Sequence, residues 1–181
     1  MKAYDCQELC ARFQLEGRYI SALPYGEGHI NDTYLINTTS NRYVLQRVND
    51  TVFQHPEDVM ANIILVTDYL HERIIAACGD PYRETLTLVP TTDGSRYLVT
   101  EHGDLFRMYL FIGRALCYQT VENPEIVYRT AKAFGRFQNM LRDFPADKLK
   151  ETIPNFHNTV TRYQAFRDAV AADKMLSLIH I

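Results

Sequence analysis

The sequence contains neither an apolar run long enough to span a membrane nor a cluster of lysines and arginines. A membrane helix needs about 20 consecutive apolar residues, and a nucleic-acid-binding face needs concentrated positive charge. The formal net charge is −3, and the 19 Lys and Arg residues are scattered along the chain. The N-terminus, Met1 to Cys6, also lacks the apolar core of a signal peptide. We therefore expect a cytoplasmic protein that binds neither membranes nor nucleic acid.

Cysteine is scarce, and its spacing does not match a metal site. The four cysteines are Cys6, Cys10, Cys78 and Cys117. Structural zinc sites need several Cys or His ligands at short spacings, and the sequence has no CxxC motif to supply them. Cys6 and Cys10 are four residues apart, so they share one face of a helix. We predict that both are buried as small apolar residues.

Short apolar runs separated by turn residues predict a sheet with one inserted helix. A short helix is expected over residues 4–14. The predicted strands are Tyr19–Pro24, Tyr34–Asn37, Tyr43–Val48, Thr85–Thr91, Arg96–Glu101 and Leu105–Phe111. After the third strand, Pro56 begins a helix, because proline suits the first helical turn. The turn residues Thr92 to Ser95 predict that the fourth and fifth strands form a hairpin.

Beyond residue 113 the sequence predicts helices. Asn123-Pro124-Glu125 begins one helix, whose apolar residues recur at helical spacing and are expected to be buried. Another helix is expected from about Thr159 to Ala172. The sequence therefore divides into a sheet-rich lobe, residues 1–113, and the start of a helical lobe, residues 114–181.

The segment from Tyr25 to Tyr34 (YGEGHINDTY) lies between the first two predicted strands. Two glycines at the tip of a hairpin let backbone amides approach a bound anion closely, which is how protein-kinase-like enzymes hold ATP phosphates. An ordinary hairpin turn is the alternative. The candidate phosphate-binding residues of this segment are Gly26, Glu27, Gly28, His29 and Asn31. The Asn31 amide could stabilise the loop or contact a phosphate, and turn chemistry explains it equally well.

The order of strands, the inserted helix and several motifs resemble the aminoglycoside phosphotransferase and choline kinase superfamily. Besides the glycine hairpin, the motifs are YVLQRVN at 43–49, FxxPExVMxNI at 53–63, FGxFQ at 134–138 and IPxFH at 153–157. The sequence looks most like the N-acetylhexosamine 1-kinase branch, from about residue 15 to 173. The resemblance implies an α+β, protein-kinase-like fold. Its antiparallel N-lobe would have five to six strands and one inserted helix, followed by the first helices of an incomplete helical C-lobe.

The resemblance also implies an activity, with ATP and Mg²⁺ as cofactors. The expected reaction transfers the γ-phosphoryl group of ATP to a sugar hydroxyl, namely the anomeric hydroxyl of an N-acetylhexosamine. Two alternatives remain open. One is a kinase of the same kind that acts on choline, homoserine or an aminoglycoside. The other is a non-catalytic kinase-like module that binds a partner through its sheet.

The third strand has a register that can be read from the sequence. Side chains alternate across a strand, so Val44 and Gln46 share one face and Arg47 lies on the other. In a kinase-like lobe this would place Val44 over the adenine and Gln46 where a Lys or Arg usually contacts the phosphates. A neutral amide contributes less than a cation there. Arg47 could replace it if a bulge shifts the register.

The connector between the lobes is expected at Met108 to Gly113, where Met108 and Phe111 are candidates to border the base. Backbone groups of this segment would pair with the base edge. Arg107 and Tyr109 face away from Met108 and would pack instead. His157 lies in a loop before the last helix, and the resemblance implies a contact with the acceptor. A surface or capping role is the alternative.

The catalytic loop of such kinases, His-x-Asp followed five residues later by Asn, is not found in the sequence. His102-Gly103-Asp104 is the nearest match, but Tyr109 stands where the Asn belongs, so we interpret it as a turn. The catalytic base and the magnesium ligands are expected beyond Ile181. We therefore expect a C-terminally truncated and inactive fragment, whose residues 175–181 are spurious.

Overall fold

The computed structural model describes residues 4–26, 28–115, 120–121 and 123–172 of the chain. Five strands form one antiparallel sheet in the order β1-β2-β3-β5-β4. The strands are β1 (Tyr19–Pro24), β2 (Asp32–Thr38), β3 (Arg42–Arg47), β4 (Leu98–Val99) and β5 (Leu105–Leu110). The three consecutive strands β1 to β3 pair as a meander, and β5 then lies beside β3.

Five helices accompany the sheet in the described part of the chain. They are α1 (Cys6–Ala11), α2 (Pro56–Ala76), α3 (Pro81–Glu84), α4 (Pro124–Met140) and α5 (Thr159–Ala172), with a 3₁₀ turn at Ala146–Lys148. Because α2 is inserted after the third strand of an antiparallel sheet, the predicted α+β fold is confirmed. Within the described residues, no helix combines the length and apolar character needed to cross a bilayer.

One face of the sheet, here the outer face, packs against α1. Asp5 caps this helix, since its Oδ1 accepts hydrogen bonds from the N–H groups of residues 7 and 8 at 3.0 Å. The helix is shorter than the predicted 4–14. Cys6 and Cys10 are buried against apolar side chains of the strands, including Leu45 and Met108. The prediction that these two cysteines are buried is confirmed, and Cys117 lies outside the described residues.

The opposite face, here the inner face, packs against α2. Met60 of α2 is fully buried in a cluster that includes Val48 and Tyr109, and Val44 packs against this cluster. Pro56 begins the helix as predicted. The inner face therefore carries Val44 and, by strand alternation, Gln46 and Arg107.

The predicted hairpin between residues 85–91 and 96–101 is wrong. Both segments instead pair with β5, one after the other along the same edge. The Val89 N–H donates to the Met108 carbonyl at 2.8 Å, and β4 pairs with Leu105 and Phe106.

Pro90 explains why residues 85–91 do not continue as a regular strand. Proline has no N–H for a sheet ladder. The Pro90 carbonyl accepts from the Gln14 N–H at 2.9 Å, and the Thr92 N–H donates to the Arg12 carbonyl at 2.8 Å. The segment is therefore drawn away from β5 toward the end of α1.

The helical part is attached to α2 but buries little of its own apolar surface. Predicted core residues of α4 are exposed, with Val127 at 52% and Phe134 at 64% of their surface. The expectation that this face is buried is wrong for the described part of the chain, where no second layer covers it. The division at residue 113 stays a prediction, and residues 175–181 lie outside the described residues.

Candidate functional site

The tip of the hairpin between β1 and β2 is open to solvent. Gly26 has φ of +80°, a left-handed conformation that favours glycine. Apart from the adjoining residues, a Cβ atom built on Gly26 or on Gly28 meets no atom of the described residues within 4 Å. His29 is exposed, and Glu27 lies outside the described residues. The backbone at the tip is therefore accessible to a ligand.

Asn31 fixes the base of this hairpin to the segment after β3. Its Oδ1 accepts from the Asn49 N–H at 2.9 Å, and the Asn49 side-chain amide donates to the Ile30 carbonyl at 2.8 Å. Of the roles considered for Asn31, the structure shows the one that stabilises the loop. This pair of hydrogen bonds holds the hairpin beside the end of β3 and leaves the tip free.

A row of three polar side chains crosses the inner face. Thr33 on β2 is the register partner of Gln46 on β3, and Gln46 is the partner of Arg107 on β5. The Gln46 Nε2 donates to the Thr33 Oγ1 at 2.9 Å. The Arg107 guanidinium donates to the Gln46 Oε1 from Nε at 3.0 Å and from Nη2 at 2.6 Å. Gln46 thus lies on the predicted face, and both the nitrogen and the oxygen of its side-chain amide make hydrogen bonds there.

Arg107 is the residue that sequence reasoning missed. Its Nη1 is buried and has no hydrogen-bond partner among the described residues, and burial lowers the pKa of its guanidinium. The guanidinium carbon lies 5.3 Å from the centre of the Tyr109 ring, a cation–π distance. The signal in the sequence was strand alternation, which turns Arg107 away from Met108. The pairing of β3 with β5 was needed to place it beside Gln46.

Arg47 lies on the outer face and does not join this row. The β2–β3 ladder covers residues 42–47 and the β3–β5 ladder residues 43–47, both without a shift of register, so the bulge that would turn Arg47 inward is not there. Its Nε donates to the Asp104 carboxylate at 3.0 Å, and its Nη2 lies 3.1 Å from Asp50. Residues 101–102 form a turn, as predicted for His102-Gly103-Asp104.

The connector, Met108 to Gly113, makes hydrogen bonds to segments on both of its sides, which limits where a base could bind. Met108 is fully buried in the core of the outer face, and its carbonyl accepts from Val89. The side chain of Met108 therefore lies on the outer face and not on the inner face with Val44. The Phe111 N–H donates to the Arg42 carbonyl at 3.0 Å, and the Gly113 carbonyl accepts from Arg83. Of the three residues 111–113 that follow β5, Ile112 is the one whose backbone takes no part in these bonds.

Phe111 lies between a cation and a second ring. The Arg42 guanidinium carbon is 4.2 Å from the centre of the Phe111 ring. The Tyr25 ring meets Phe111 edge-on, with centroids 5.9 Å apart. The flank of the glycine hairpin thus reaches the connector, and the two together border the inner face.

Asn62 lies in the middle of α2, the helix that packs against the inner face. The Asn62 side chain exchanges two hydrogen bonds with the backbone of Lys150, at 2.8 and 2.9 Å. The Lys150 Nζ lies 2.5 Å from the Asp58 carboxylate. These contacts attach the helical part to α2, so Asn62 acts as an anchor and not as a partner of Gln46.

His157 lies in the exposed loop before α5. Its ring stacks edge-on against Phe156, with centroids 4.7 Å apart. His157 lines a cavity of about 570 Å³ together with residues 151–153, 155, 156 and 158. The structure therefore gives His157 a local contact, and a contact with an acceptor stays a prediction. No cluster of three or more metal-ligating side chains occurs within the residues described above.

No protein-family model matches the sequence. A solved structure of spectinomycin phosphotransferase, in complex with ADP and spectinomycin, is similar to this chain. The sequence identity is 14% and the TM-score is 0.47, over 74% of this chain and 36% of the other. The chain thus spans about a third of the length of that protein.

Proposed function

We propose that this chain binds ATP between the glycine hairpin and the inner face, as the nucleotide-binding part of a small-molecule kinase. The observation that carries the proposal is the open hairpin tip at Gly26 and Gly28, whose flanking Tyr25 reaches Phe111 at the connector. Backbone amides that no side chain covers can donate to phosphate oxygens. The inner face supplies an apolar residue, Val44, and a polar row beside it.

Each candidate residue has a separate role in this proposal. The backbone of Gly26 to His29 would hold phosphates, and Val44 would lie against the base. Gln46 would contact a phosphate oxygen through its amide. Phe111 would border the base, while the backbone of the connector pairs with the base edge. Mg²⁺ belongs to the proposed reaction, but the described residues hold no cluster that fits it.

For the complete kinase, the proposed acceptor is the anomeric hydroxyl of an N-acetylhexosamine. The motifs that resemble the N-acetylhexosamine 1-kinase branch support this acceptor over choline, homoserine or an aminoglycoside. Phosphoryl transfer needs the hydroxyl placed in line with the γ-phosphate, and catalysis comes mainly from positioning and charge. His157 is the one residue of this chain proposed to contact the acceptor.

Isothermal titration of the protein with ATP, ADP and adenosine tests the proposal. A phosphate-holding hairpin predicts that ATP and ADP bind more tightly than adenosine, because charged acceptors form the stronger hydrogen bonds. Equal affinities for ADP and adenosine would contradict the role of the hairpin. No binding of any of the three by folded protein would contradict nucleotide binding as a whole.

A further inference from the structure

The cation nearest to Gln46 comes from β5 and not from β3. In the register of the sheet, Gln46 and Arg107 are direct partners. The guanidinium donates two hydrogen bonds to the Gln46 Oε1, at 3.0 and 2.6 Å. Gln46 in turn donates to Thr33. The three side chains therefore form one connected row that ends in a positive charge.

This charge has a neutral acceptor in the structure. Within the described residues, both hydrogen bonds of the Arg107 guanidinium go to the Gln46 amide oxygen, and its Nη1 is buried without a partner. A buried cation with no anionic acceptor is unfavourable, and a hydrogen bond to a charged group is stronger than one to a neutral group. Burial accordingly lowers the pKa of this group.

Arg47 differs from Arg107 in the groups that accept its hydrogen bonds. It is the neighbouring residue of Gln46 on β3, and it lies on the outer face with the carboxylates of Asp104 and Asp50 at 3.0 and 3.1 Å. Arg47 is thus neutralised by acidic residues, whereas among the described residues Arg107 has no acidic partner.

We propose that Arg107 is the cation that contacts the phosphates of the nucleotide beside the glycine hairpin, with Gln46 holding its guanidinium in place until the nucleotide arrives. A phosphate oxygen that replaces the Gln46 amide oxygen gives the guanidinium the anionic acceptor that it lacks. Arg107 on β5 then supplies the positive charge that a lysine or arginine on β3 would otherwise supply to the phosphates. This inference rests on the proposed function, because it assigns a ligand to the same site.

Calorimetric titration of the Arg107→Gln variant with ADP and with adenosine tests the assignment. Losing a charge-assisted hydrogen bond to a phosphate lowers affinity about 10- to 100-fold. We expect a loss of this size for ADP and unchanged affinity for adenosine. Arg96→Gln is the matched control, because Arg96 is an exposed arginine paired with Asp68. It should bind ADP like the wild type.

A rescue separates a phosphate contact from a structural role. Gln46→Lys in the Arg107→Gln background places a cation on β3 and should restore most of the ADP affinity. Wild-type ADP affinity in Arg107→Gln would overturn the proposal and leave the proposed function intact. If folded wild-type protein binds neither ADP nor ATP, the proposed function fails and this assignment fails with it.

If Arg107→Gln does not fold, the Gln46→Glu variant tests the assignment of Arg107 instead. The new carboxylate would neutralise the guanidinium from within the row, so ADP should bind about tenfold more weakly while adenosine affinity is unchanged. Unchanged ADP affinity in Gln46→Glu would overturn the assignment of Arg107.

Discussion

The ring of Tyr25 meets the ring of Phe111 edge-on, with centroids 5.9 Å apart. Tyr25 directly follows β1 at the glycine hairpin, and Phe111 directly follows β5 at the connector. This contact joins the two segments that are proposed to border the nucleotide. A base that enters between them has to separate the two rings.

Replacing Tyr25 by alanine is expected to tighten ATP binding about two- to tenfold. An edge-to-face pair contributes about 0.5–1.5 kcal/mol beyond its area burial, and the variant no longer loses this contact when the nucleotide enters. The dissociation constant for ATP, measured by calorimetry, checks the prediction. Tyr163→Ala, which removes an exposed tyrosine from α5, is the control and should bind like the wild type. Weaker binding by Tyr25→Ala would mean that the ring contacts the base.

Gly28→Val is expected to weaken ATP binding by about tenfold or more without loss of folding. The space around a Gly28 Cβ is open among the described residues, so the new side chain should fit and act by blocking close approach of phosphates to the backbone. Calorimetry gives the affinity, and circular dichroism gives the fold. Gly135→Ala is the control, since Gly135 lies in α4 with equally open surroundings. A folded Gly28→Val protein with unchanged affinity would refute the phosphate role of the hairpin.

Asp104→Ala is expected to lower the free energy of unfolding by about 1.5–3 kcal/mol, because it removes the buried acceptor of Arg47 and leaves only the more exposed Asp50. Urea denaturation measures the change. Asp68→Ala removes an acid from the exposed pair with Arg96 and should cost less than about 1 kcal/mol. Since Arg47 and Asp104 lie on the outer face, the folded fraction of Asp104→Ala should bind ADP normally. A selective loss of ADP binding would instead place Arg47 at the phosphates.

The ionisation of the Cys10 thiol is expected to make the free energy of unfolding depend on pH in the alkaline range. Burial raises the pKa of its thiol from 9.0 to about 12. Between these values the unfolded chain releases the Cys10 proton and the folded chain keeps it, so the stabilisation present below pH 9 is lost as the pH rises toward 12. At pH 10 the loss from this group should be on the order of 1 kcal/mol. Urea denaturation of the wild type and of Cys10→Ala at pH 8 and pH 10 measures it. An identical drop in the two proteins would contradict the assignment to Cys10.

The parts of the fold that follow from local signals could be predicted from the sequence. Tyr19–Pro24 and Thr159–Ala172 have the predicted bounds, and Pro56 begins its helix as expected. The segments at 85–91 and 96–101 could not be placed. Their partner is β5 and not each other, and the hydrogen bonds that draw Pro90 toward α1 join residues far apart in the chain.

Prediction of the candidate site from the sequence was limited in the same way. Strand alternation placed Gln46 and Arg47 on opposite faces, because this depends only on neighbouring residues. Arg107 could not be assigned from the sequence, since its role depends on the β3–β5 register, which brings together residues 61 positions apart. Asn62 likewise needed the contact with Lys150 to be understood. Acceptor specificity stays a prediction for the same reason, because it depends on contacts between distant segments.

Hydrogen–deuterium exchange of the protein with and without ATP tests the central claim most directly. The proposal predicts that ATP slows exchange of the backbone amides at residues 25–31, with the inner-face strands protected as well. Adenosine should protect the connector but leave the hairpin tip unchanged. ATP binding that leaves exchange at residues 25–31 unaltered, or protects only residues outside the sheet, would contradict the account.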